Sequence, residues 1–285
     1  MSKMRLVYMW SLRNAAADRA GQKVAYKGGQ RYMKSPLQYL AELLDATPLG
    51  ERYSLEAVIS DDDPDSDRDC DKLAGYGFTC GEGEHWFYPP QLTVQGRRME
   101  GLRYAVPSSY RRLPPGDAGR VAGKRDYEQR VLEMLREVKA DLVLLDGLLI
   151  ILDELVRPGS PFHRRIVNIH PGITRIDSPY ERRGAYATLD ALHGARGERK
   201  NWQTGEVVAV PPVSMTGASF HYVDNGIDSG EVITDVLATP IDPADTILEL
   251  RWNNFNNSLF PAMRRGLEIL AGMDVGVTWR VEERG

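Results

Sequence analysis

An amide, two imidazoles and a carboxylate occur within two short segments in the second half of the chain. The first, Val-Asn-Ile-His-Pro-Gly, contains Asn168 and His170, and the second, residues 216–230, contains His221 and Asp228. Side chains two residues apart on a β-strand point to the same face, so Asn168 and His170 can address one reacting atom. An amide and an imidazole beside a carboxylate can polarise a carbonyl and accept a proton.

The pattern of apolar residues predicts strands that alternate with helices, as in α/β proteins. The predicted strands are residues 5–10, 55–60, 142–145 and 165–170, followed by a hairpin of residues 214–223 and 231–238. One predicted helix begins at Pro36, and three others cover residues 126–139, 184–192 and 245–271. We therefore predict a doubly wound, Rossmann-like, mostly parallel sheet with a late antiparallel hairpin and a long C-terminal helix. Ligands of such sheets bind at the carboxyl ends of strands, where Asn168 and His170 lie.

The segments between these elements have little apolar periodicity. Residues 11–33 contain three glycines and are predicted to be a long ordered loop or lid, whereas residues 148–156 are predicted to be a loop with a short helix. The acidic residues 61–71 are predicted to be a loop whose carboxylates are not spaced to hold a metal. Since no linker is visible, we predict one domain over residues 1–285, with a variable half at 1–140 and a catalytic half at 141–271.

The composition excludes several functional classes. The net charge of −4 provides no field that would attract nucleic acid or an anionic membrane. No segment approaches the roughly 20 apolar residues of a membrane span, and no signal peptide is apparent, so we expect a cytoplasmic protein. Cys70 and Cys80 are expected to be free thiols, and no metal site is expected. The arginine-rich residues 95–123 are either a solvated loop or a site for an anionic group.

The motifs of the second half resemble a known family. The residues are Asn168-Ile169-His170-Pro171, Thr216-Gly217, Phe220-His221-Tyr222-Val223 and Gly226-Ile227-Asp228-Ser229-Gly230. In this combination they resemble the catalytic half of the 10-formyltetrahydrofolate-dependent formyltransferases. The resemblance implies that Asn168, His170 and Asp228 are catalytic and that 10-formyltetrahydrofolate is the co-substrate. When an amine attacks a formyl carbon, the carbonyl oxygen becomes anionic, and N–H donors from the amide and imidazole would stabilise it.

The family's folate pocket corresponds to residues 148–152 and 223–228. The cofactor-binding residues that this resemblance implies are Leu149, Ile150, Leu152, Val223, Asp224 and Ile227. An apolar slot with backbone donors and acceptors suits a flat pteridine; the alternative for the leucines in this loop is simple core packing. Some relatives have an arginine at the position of Ile150, so a charge contact from this position to the folate tail is in doubt.

The first half of the chain determines the acceptor. After the first strand it reads Ser-Leu-Arg-Asn and lacks the closely spaced glycines with which the family's nucleotide-modifying members bind phosphate. This opening and the later Lys-Gly-Gly and Ser-Pro-Leu are similar to the hydroxyornithine formyltransferases of siderophore biosynthesis. The resemblance implies a small amino-acid acceptor, δ-N-hydroxyornithine. Arg13 or Lys27 is expected to bind its carboxylate, and His221 is expected either to face the substrate or to be structural.

Three alternative functions remain open at this point. A sugar-nucleotide N-formyltransferase would need an aromatic slot for a base, and Trp86, Phe87 and Tyr88 are its candidates. A hydrolase would release formate from the same folate. A non-catalytic folate-binding protein would keep the pocket and lose the catalytic groups, which here are all present.

Overall fold

A seven-stranded β-sheet forms the centre of the computed structural model, which describes residues 2–78 and 87–273. The strands are β1 (Met4–Trp10), β2 (Lys23–Tyr26), β3 (Gly29–Tyr32), β4 (Tyr53–Ser60), β5 (Thr93–Val94), β6 (Arg97–Arg98), β7 (Arg103–Ala105), β8 (Leu142–Asp146), β9 (Ile166–His170), β10 (Glu198–Lys200), β11 (Val207–Ala209), β12 (Met215–Tyr222) and β13 (Val232–Pro240). The helices are α1 (Leu12–Ala17), α2 (Pro36–Ala46), α3 (Leu49–Arg52), α4 (Asp67–Ala74), α5 (Gly119–Glu137), α6 (Ala187–Ala195), α7 (Ile247–Asn254) and α8 (Phe260–Leu270).

The order of strands in the central sheet is β13-β12-β9-β8-β1-β4-β7. Strands β9, β8, β1, β4 and β7 run parallel, and the hairpin of β12 and β13 adds antiparallel strands beside β9. The chain therefore has the predicted α/β fold, with a mostly parallel sheet and a late hairpin. The parallel strands bring the carboxyl ends of β1, β8 and β9 to one edge, where the functional side chains follow them.

Alternation along β1 produces two hydrophobic cores, one on each face of the sheet. Leu6, Tyr8 and Trp10 pack with apolar residues of α2 and α8, whereas Val7 and Met9 pack with α5. Because both faces are covered, the central strands are continuously apolar rather than alternating.

The structure corrects the prediction of a long loop or lid at residues 11–33. This segment forms helix α1 and the β2–β3 hairpin. The hairpin was not predicted because β3 is exposed along its whole length, so its sequence has no apolar alternation to indicate a strand. The acidic segment is also only partly a loop, since α4 begins inside it and Ser66 Oγ caps the helix by accepting from the Asp69 N–H at 3.3 Å.

Other differences from prediction are local. No helix forms within residues 148–156, which remain an irregular loop. Cys70 is disulfide-bonded, so the prediction of a free thiol is wrong for this residue, and Cys80 lies outside the described residues.

The predicted long C-terminal helix is present as one continuous helical segment. Thr246 and Glu249 form a capping box at the start of α7, and a π-helical turn at Phe255–Leu259 joins α7 to α8. Such turns interrupt the regular ladder and often occur at functional sites. Within residues 2–78 and 87–273, no helix has the length and apolar character needed to cross a bilayer.

Candidate active site

A cavity of about 320 Å³ opens at the carboxyl ends of β1, β8 and β9. This is the edge at which parallel α/β sheets bind ligands, and the volume lies in the range of small-molecule sites. Asn168, His170 and Asp228 all line the cavity. The three predicted catalytic side chains therefore meet at one site, although Asn168 and Asp228 are 60 residues apart in the chain.

Asn168 is held by the hydrogen-bond register of the sheet. It lies opposite His221 in the antiparallel pairing of β9 with β12. Its Nδ2 donates to Asp228 Oδ1 at 3.1 Å and lies 3.3 Å from His221 Nε2. Because both partners are acceptors, both amide hydrogens are used within the protein. One of these two contacts must be given up before Asn168 can donate to a substrate oxygen.

Asp228 is held by the loop that joins β12 to β13. Its φ of 47° lies in the left-handed region, which Asp tolerates better than most residues. Within the loop, Asp224 Oδ1 accepts from the N–H of Gly226 at 3.0 Å and from the hydroxyl of Ser229 at 2.6 Å. The carboxylate of Asp224 thus stabilises the loop that presents Asp228 to the cavity.

The carboxylate of Asp228 is surrounded by donors. The N–H of Gly184 donates to Oδ2 at 2.8 Å, and His221 Nε2 lies 3.5 Å from Oδ1. Burial raises the pKa of Asp228, but the hydrogen bond that His221 donates when its ring is protonated, the imidazole of His170 and the hydrogen bond from Gly184 N–H outweigh burial and hold the pKa well below its ordinary value. Asp228 is therefore ionised at neutral pH.

His170 is buried, and both of its ring nitrogens face protein oxygens. Nε2 lies 3.0 Å from the Arg182 carbonyl oxygen, and since a carbonyl only accepts, Nε2 carries the proton. Nδ1 lies 3.3 Å from Asp228 Oδ2. Burial lowers the pKa of His170, while the Asp228 carboxylate opposes this effect. Nδ1 is thus the ring nitrogen that can take up a proton beside an anionic partner.

His221 completes the polar cluster. Its Nδ1 lies 2.8 Å from the Tyr222 carbonyl oxygen, which requires a proton on Nδ1, so that in the neutral ring Nε2 has a lone pair toward Asn168. The sequence left open whether His221 faces the substrate or is structural, and both interpretations stay predictions. His221 lines the cavity, and its contacts hold the amide of Asn168.

The apolar part of the cavity coincides with the predicted folate pocket. The predicted cofactor-binding residues that line it are Leu149, Ile150, Leu152, Val223, Asp224 and Ile227. Leu149 and Ile227 remain 56% and 57% exposed, so large apolar side chains flank the cavity without being covered by the protein. Exposed apolar surface beside a cavity is typical of a binding slot for a flat apolar ligand.

The predicted carboxylate-binding residues do not line this cavity. Arg13 is buried, and its guanidinium pairs with Asp61 at 2.9 Å, Asp62 at 2.8 Å and Asp69 at 2.7 Å. Lys27 pairs with Asp242 at 2.9 Å and with the carboxylate of Asp245. Both cations thus have carboxylate partners within the chain and lie apart from the catalytic trio.

The arginine-rich segment is largely engaged in similar contacts. Arg111 pairs with Asp61 at 3.3 Å, Arg112 with Asp63 at 2.7 Å, and Arg97 with Glu56 at 3.1 Å. These pairs connect the arginine-rich segment to β4 and to the acidic loop that follows β4. The contacts of Arg111 and Arg112 pair carboxylates of the acidic segment with guanidinium groups.

Sequence reasoning missed four polar residues that line the cavity. They are Asn14, Asp18, Asp146 and Arg251. Asp146 was visible only as the residue that ends the apolar strand β8. Asp18 and Arg251 form an ion pair across 233 residues of sequence, a separation at which no local pattern can indicate contact.

Two of the three aromatic residues proposed for a base-binding slot, Phe87 and Tyr88, belong to the core. Phe87 and Tyr88 are 1% and 4% exposed and pack on Trp10 with ring centroids 5.6 and 6.4 Å away. Trp86 lies outside the described residues. Phe87 and Tyr88 therefore do not form an open slot at the cavity.

Comparison with known proteins identifies the family. Residues 89–262 match the sequence model of the family described as formyl transferase. The chain is 26% identical over 146 residues to the phosphoribosylglycinamide formyltransferase of Bacillus subtilis (strain 168), which is 50% of this chain and 62% of that protein. The chain thus spans less than two thirds of the length of this curated relative.

Solved structures extend the similarity to nearly the whole chain. The chain is 62% identical, with a TM-score of 0.88, to PvdF of pyoverdin biosynthesis, a structurally unique N10-formyltetrahydrofolate-dependent formyltransferase. That match covers 95% of this chain and 100% of PvdF. Glycinamide ribonucleotide transformylase 1 from Symbiobacterium toebii, at 18% identity and a TM-score of 0.51 over 95% of this chain and 88% of that one, shares the fold. The chain belongs to the formyl transferase family.

Proposed function

We propose that this chain transfers the formyl group of 10-formyltetrahydrofolate to the side-chain hydroxylamine nitrogen of δ-N-hydroxyornithine. The product would be a formyl hydroxamate, a group that chelates ferric iron in siderophores. The observation that carries the proposal is the 62% identity over 95% of the chain to a formyltransferase of pyoverdin biosynthesis. The meeting of Asn168, His170 and Asp228 beside an apolar slot supports it independently of that similarity.

The contacts of the trio fit the chemistry of formyl transfer. The nitrogen lone pair attacks the formyl carbon, and the carbonyl oxygen gains the negative charge. Asn168 donates an N–H to that oxygen after releasing one of its two present acceptors. His170 Nδ1 takes the proton lost by the attacking nitrogen, and the ionised Asp228 stabilises the imidazolium. The bond from carbon to N10 then breaks, N10 receives a proton, and tetrahydrofolate leaves.

A hydroxylamine suits a site with these protonation states. An alkyl amine such as that of lysine has a pKa near 10.4 and is almost entirely protonated at neutral pH. The hydroxyl group withdraws electrons and keeps the hydroxylamine nitrogen mostly neutral. Such an acceptor needs no base to become a nucleophile, and a weak base such as His170, whose pKa is lowered by burial, is sufficient to collect the proton afterwards.

The charges of the cavity favour an amino acid over a phosphorylated acceptor. Among the lining residues described, Arg251 is the sole Arg or Lys, whereas carboxylates are contributed by Asp18, Asp146, Asp224 and Asp228. A sugar nucleotide would bring two phosphate charges into this acidic surrounding. The burial of Phe87 and Tyr88 also argues against the sugar-nucleotide alternative.

An acceptor panel tests the proposal. The purified chain is mixed with 10-formyltetrahydrofolate and hydroxyornithine, ornithine, a sugar-nucleotide amine or no acceptor, and folate deformylation is followed. We expect rapid turnover with hydroxyornithine and a mass increase corresponding to one formyl group. Asn168→Ala is the matched control, and its turnover should be about 100-fold lower. Turnover mainly with the sugar nucleotide, or equal rates without acceptor, would refute the proposed acceptor.

A further inference from the structure

The cavity has a second polar region beyond the catalytic trio. It is formed by Asn14 and Asp18, in and just after α1, and by Arg251 in α7. Asp18 is 4% exposed and makes an ion pair with Arg251 Nη1. An ion pair removed from water is costly unless further partners complete it, so a buried pair at a cavity wall suggests a ligand.

This region lies on the opposite face of the sheet from the trio. Val167 and Ile169 pack in the core that contains Tyr8, so Asn168 and His170, which alternate with them, point to the other face. Asp146 accepts from the Tyr8 hydroxyl and therefore belongs to the Tyr8 face, with α1. The cavity thus passes over the ends of the strands from one face of the sheet to the other. An elongated acceptor could contact the trio on one face and the second polar region on the other.

Arg251 has hydrogen-bonding capacity that the protein does not use. A guanidinium has five N–H donors in a fixed fork. Nη1 contacts Asp18 and Nη2 donates to Thr188 Oγ1 at 3.3 Å, but Nε is buried and has no hydrogen-bond partner. Burial lowers the pKa of Arg251 to about 10, so the side chain is still charged at neutral pH. A planar anion such as a carboxylate is the partner that such a fork binds best.

We propose that Arg251 and Asp18 bind the α-amino-acid end of the acceptor, Arg251 through the α-carboxylate and Asp18 through the α-ammonium. This inference rests on the proposed function, because it assumes that an amino acid carries the nucleophile. A zwitterion adds one charge of each sign to a pair that already has one of each, so the four charges compensate one another in a buried place. Asp18 and Arg251 can therefore stay paired with each other when the ligand binds.

Asn14 supports the same position. A Cβ added to Gly147 would lie 2.1 Å from Asn14 Nδ2, so the amide packs directly on the backbone at the end of β8. Asn14 is in α1, and Asp18 is the C-cap residue of that helix. Asn14 therefore lies between the Asp18–Arg251 pair and the end of β8, the strand that pairs with β9 at Asn168. A ligand anchored at the pair extends along this amide toward the trio.

Kinetics with truncated acceptors test the assignment. N-(4-Aminobutyl)hydroxylamine lacks only the carboxylate of hydroxyornithine, and we expect the wild type to use it roughly 10- to 100-fold less efficiently, the value of a charged hydrogen-bond pair. Arg251→Met should reduce kcat/KM for hydroxyornithine by a similar factor and reduce kcat/KM for the carboxylate-free compound clearly less, so that the preference between the two acceptors is lost. The KM for 10-formyltetrahydrofolate should not change. Equal losses for both acceptors would overturn the assignment of Arg251.

A second variant covers the possibility that Arg251→Met does not fold. Asp18→Asn/Arg251→Met removes both charges at once, and it should no longer distinguish the two acceptors. The matched control is Arg264→Met, which removes a 53% exposed guanidinium paired with Glu268 on α8 and should retain the wild-type preference. A double variant that still prefers the carboxylate-bearing acceptor by tenfold or more would contradict the proposal.

Binding of ornithine separates this inference from the proposed function. By calorimetry, ornithine should bind the wild type at least tenfold more tightly than it binds Arg251→Met, whether or not turnover occurs. If hydroxyornithine is not formylated but this difference is found, the acceptor is another amino acid and the anchor stands. If hydroxyornithine is formylated and ornithine binds both proteins equally, the proposed function stands and the anchor is refuted.

Discussion

Asp228→Asn is the substitution whose effect can be worked out most fully from the structure. The carboxylate accepts from Gly184 N–H at 2.8 Å through Oδ2 and from Asn168 Nδ2 at 3.1 Å through Oδ1. An Asn side chain has the same shape but carries an NH2 group on one of these positions. In either orientation one hydrogen bond becomes a contact between two donors.

The expected loss has two parts. The charge-assisted hydrogen bonds lost at a buried carboxylate are worth roughly 1.5–3 kcal/mol. The imidazolium of His170 also loses its anionic partner at 3.3 Å, and groups that assist proton transfer contribute about 100- to 10,000-fold. We expect turnover to fall by about 1,000-fold, in the middle of that range. The KM for the folate should change little, because the slot proposed for it is lined by Leu149, Ile150 and Leu152.

The pH dependence gives a more specific signature. His170 must be neutral to accept a proton, so turnover falls as pH falls through its pKa, which burial holds below the ordinary value near 6.5. The Asp228 carboxylate raises this pKa, so its removal should shift the acid limb of the profile to still lower pH. Folate deformylation measured across the acid range in wild type and variant checks the shift. A rate within tenfold of wild type, or a limb displaced to higher pH, would refute the assigned role.

Three further substitutions test other parts of the account. Asn168→Ala should lower turnover about 100-fold, by loss of an oxyanion donor, with unchanged folate binding measured by calorimetry; a near-normal rate would exclude that role. Gly147→Ala places a Cβ against Asn14 at a φ of 60°, so the acceptor KM should rise and the free energy of unfolding in urea should fall by about 1–3 kcal/mol. The control is Gly205→Ala, at a φ of 77° with no atom within 4 Å of the added Cβ, which should show only the cost of backbone strain and no change in KM. Arg13→Met leaves three buried carboxylates without their central cation and should lower the free energy of unfolding by about 3–5 kcal/mol. The folded protein should keep its acceptor KM. A raised KM with normal stability would instead indicate that Arg13 binds the substrate.

The sequence predicts that Asn168, His170 and Asp228 lie together, because the motifs that resemble the family contain these residues and local patterns place their strands; the catalytic roles and the folate slot stay predictions. Asn168 and His170 share a strand face through the period of two, and Asp228 lies in a loop between two recognisable strands. The parallel sheet then brings these segments to one edge, as the predicted alternation of strands and helices requires. The apolar residues after β8 were marked by the same resemblance, and they line the cavity in the structure.

The acceptor side was less predictable because it depends on contacts between distant segments. Arg13 looked available in the sequence, but Asp61, Asp62 and Asp69 surround it in the fold. Conversely, Arg251 lies on a helix with no unusual periodicity, and its pairing with Asp18 crosses most of the chain. Single charged residues carry no sequence signal of their partners. Their assignment required the tertiary structure.

The central claim is that Asn168 polarises the formyl carbonyl of bound 10-formyltetrahydrofolate. Isotope-edited infrared spectroscopy of folate labelled with carbon-13 at the formyl group measures this polarisation without acceptor or turnover. We predict that the carbonyl stretch shifts to lower frequency on binding to the wild type and that Asn168→Ala abolishes most of the shift while the folate remains bound. An unshifted band in the wild type, or the same shift in both proteins, would contradict the account.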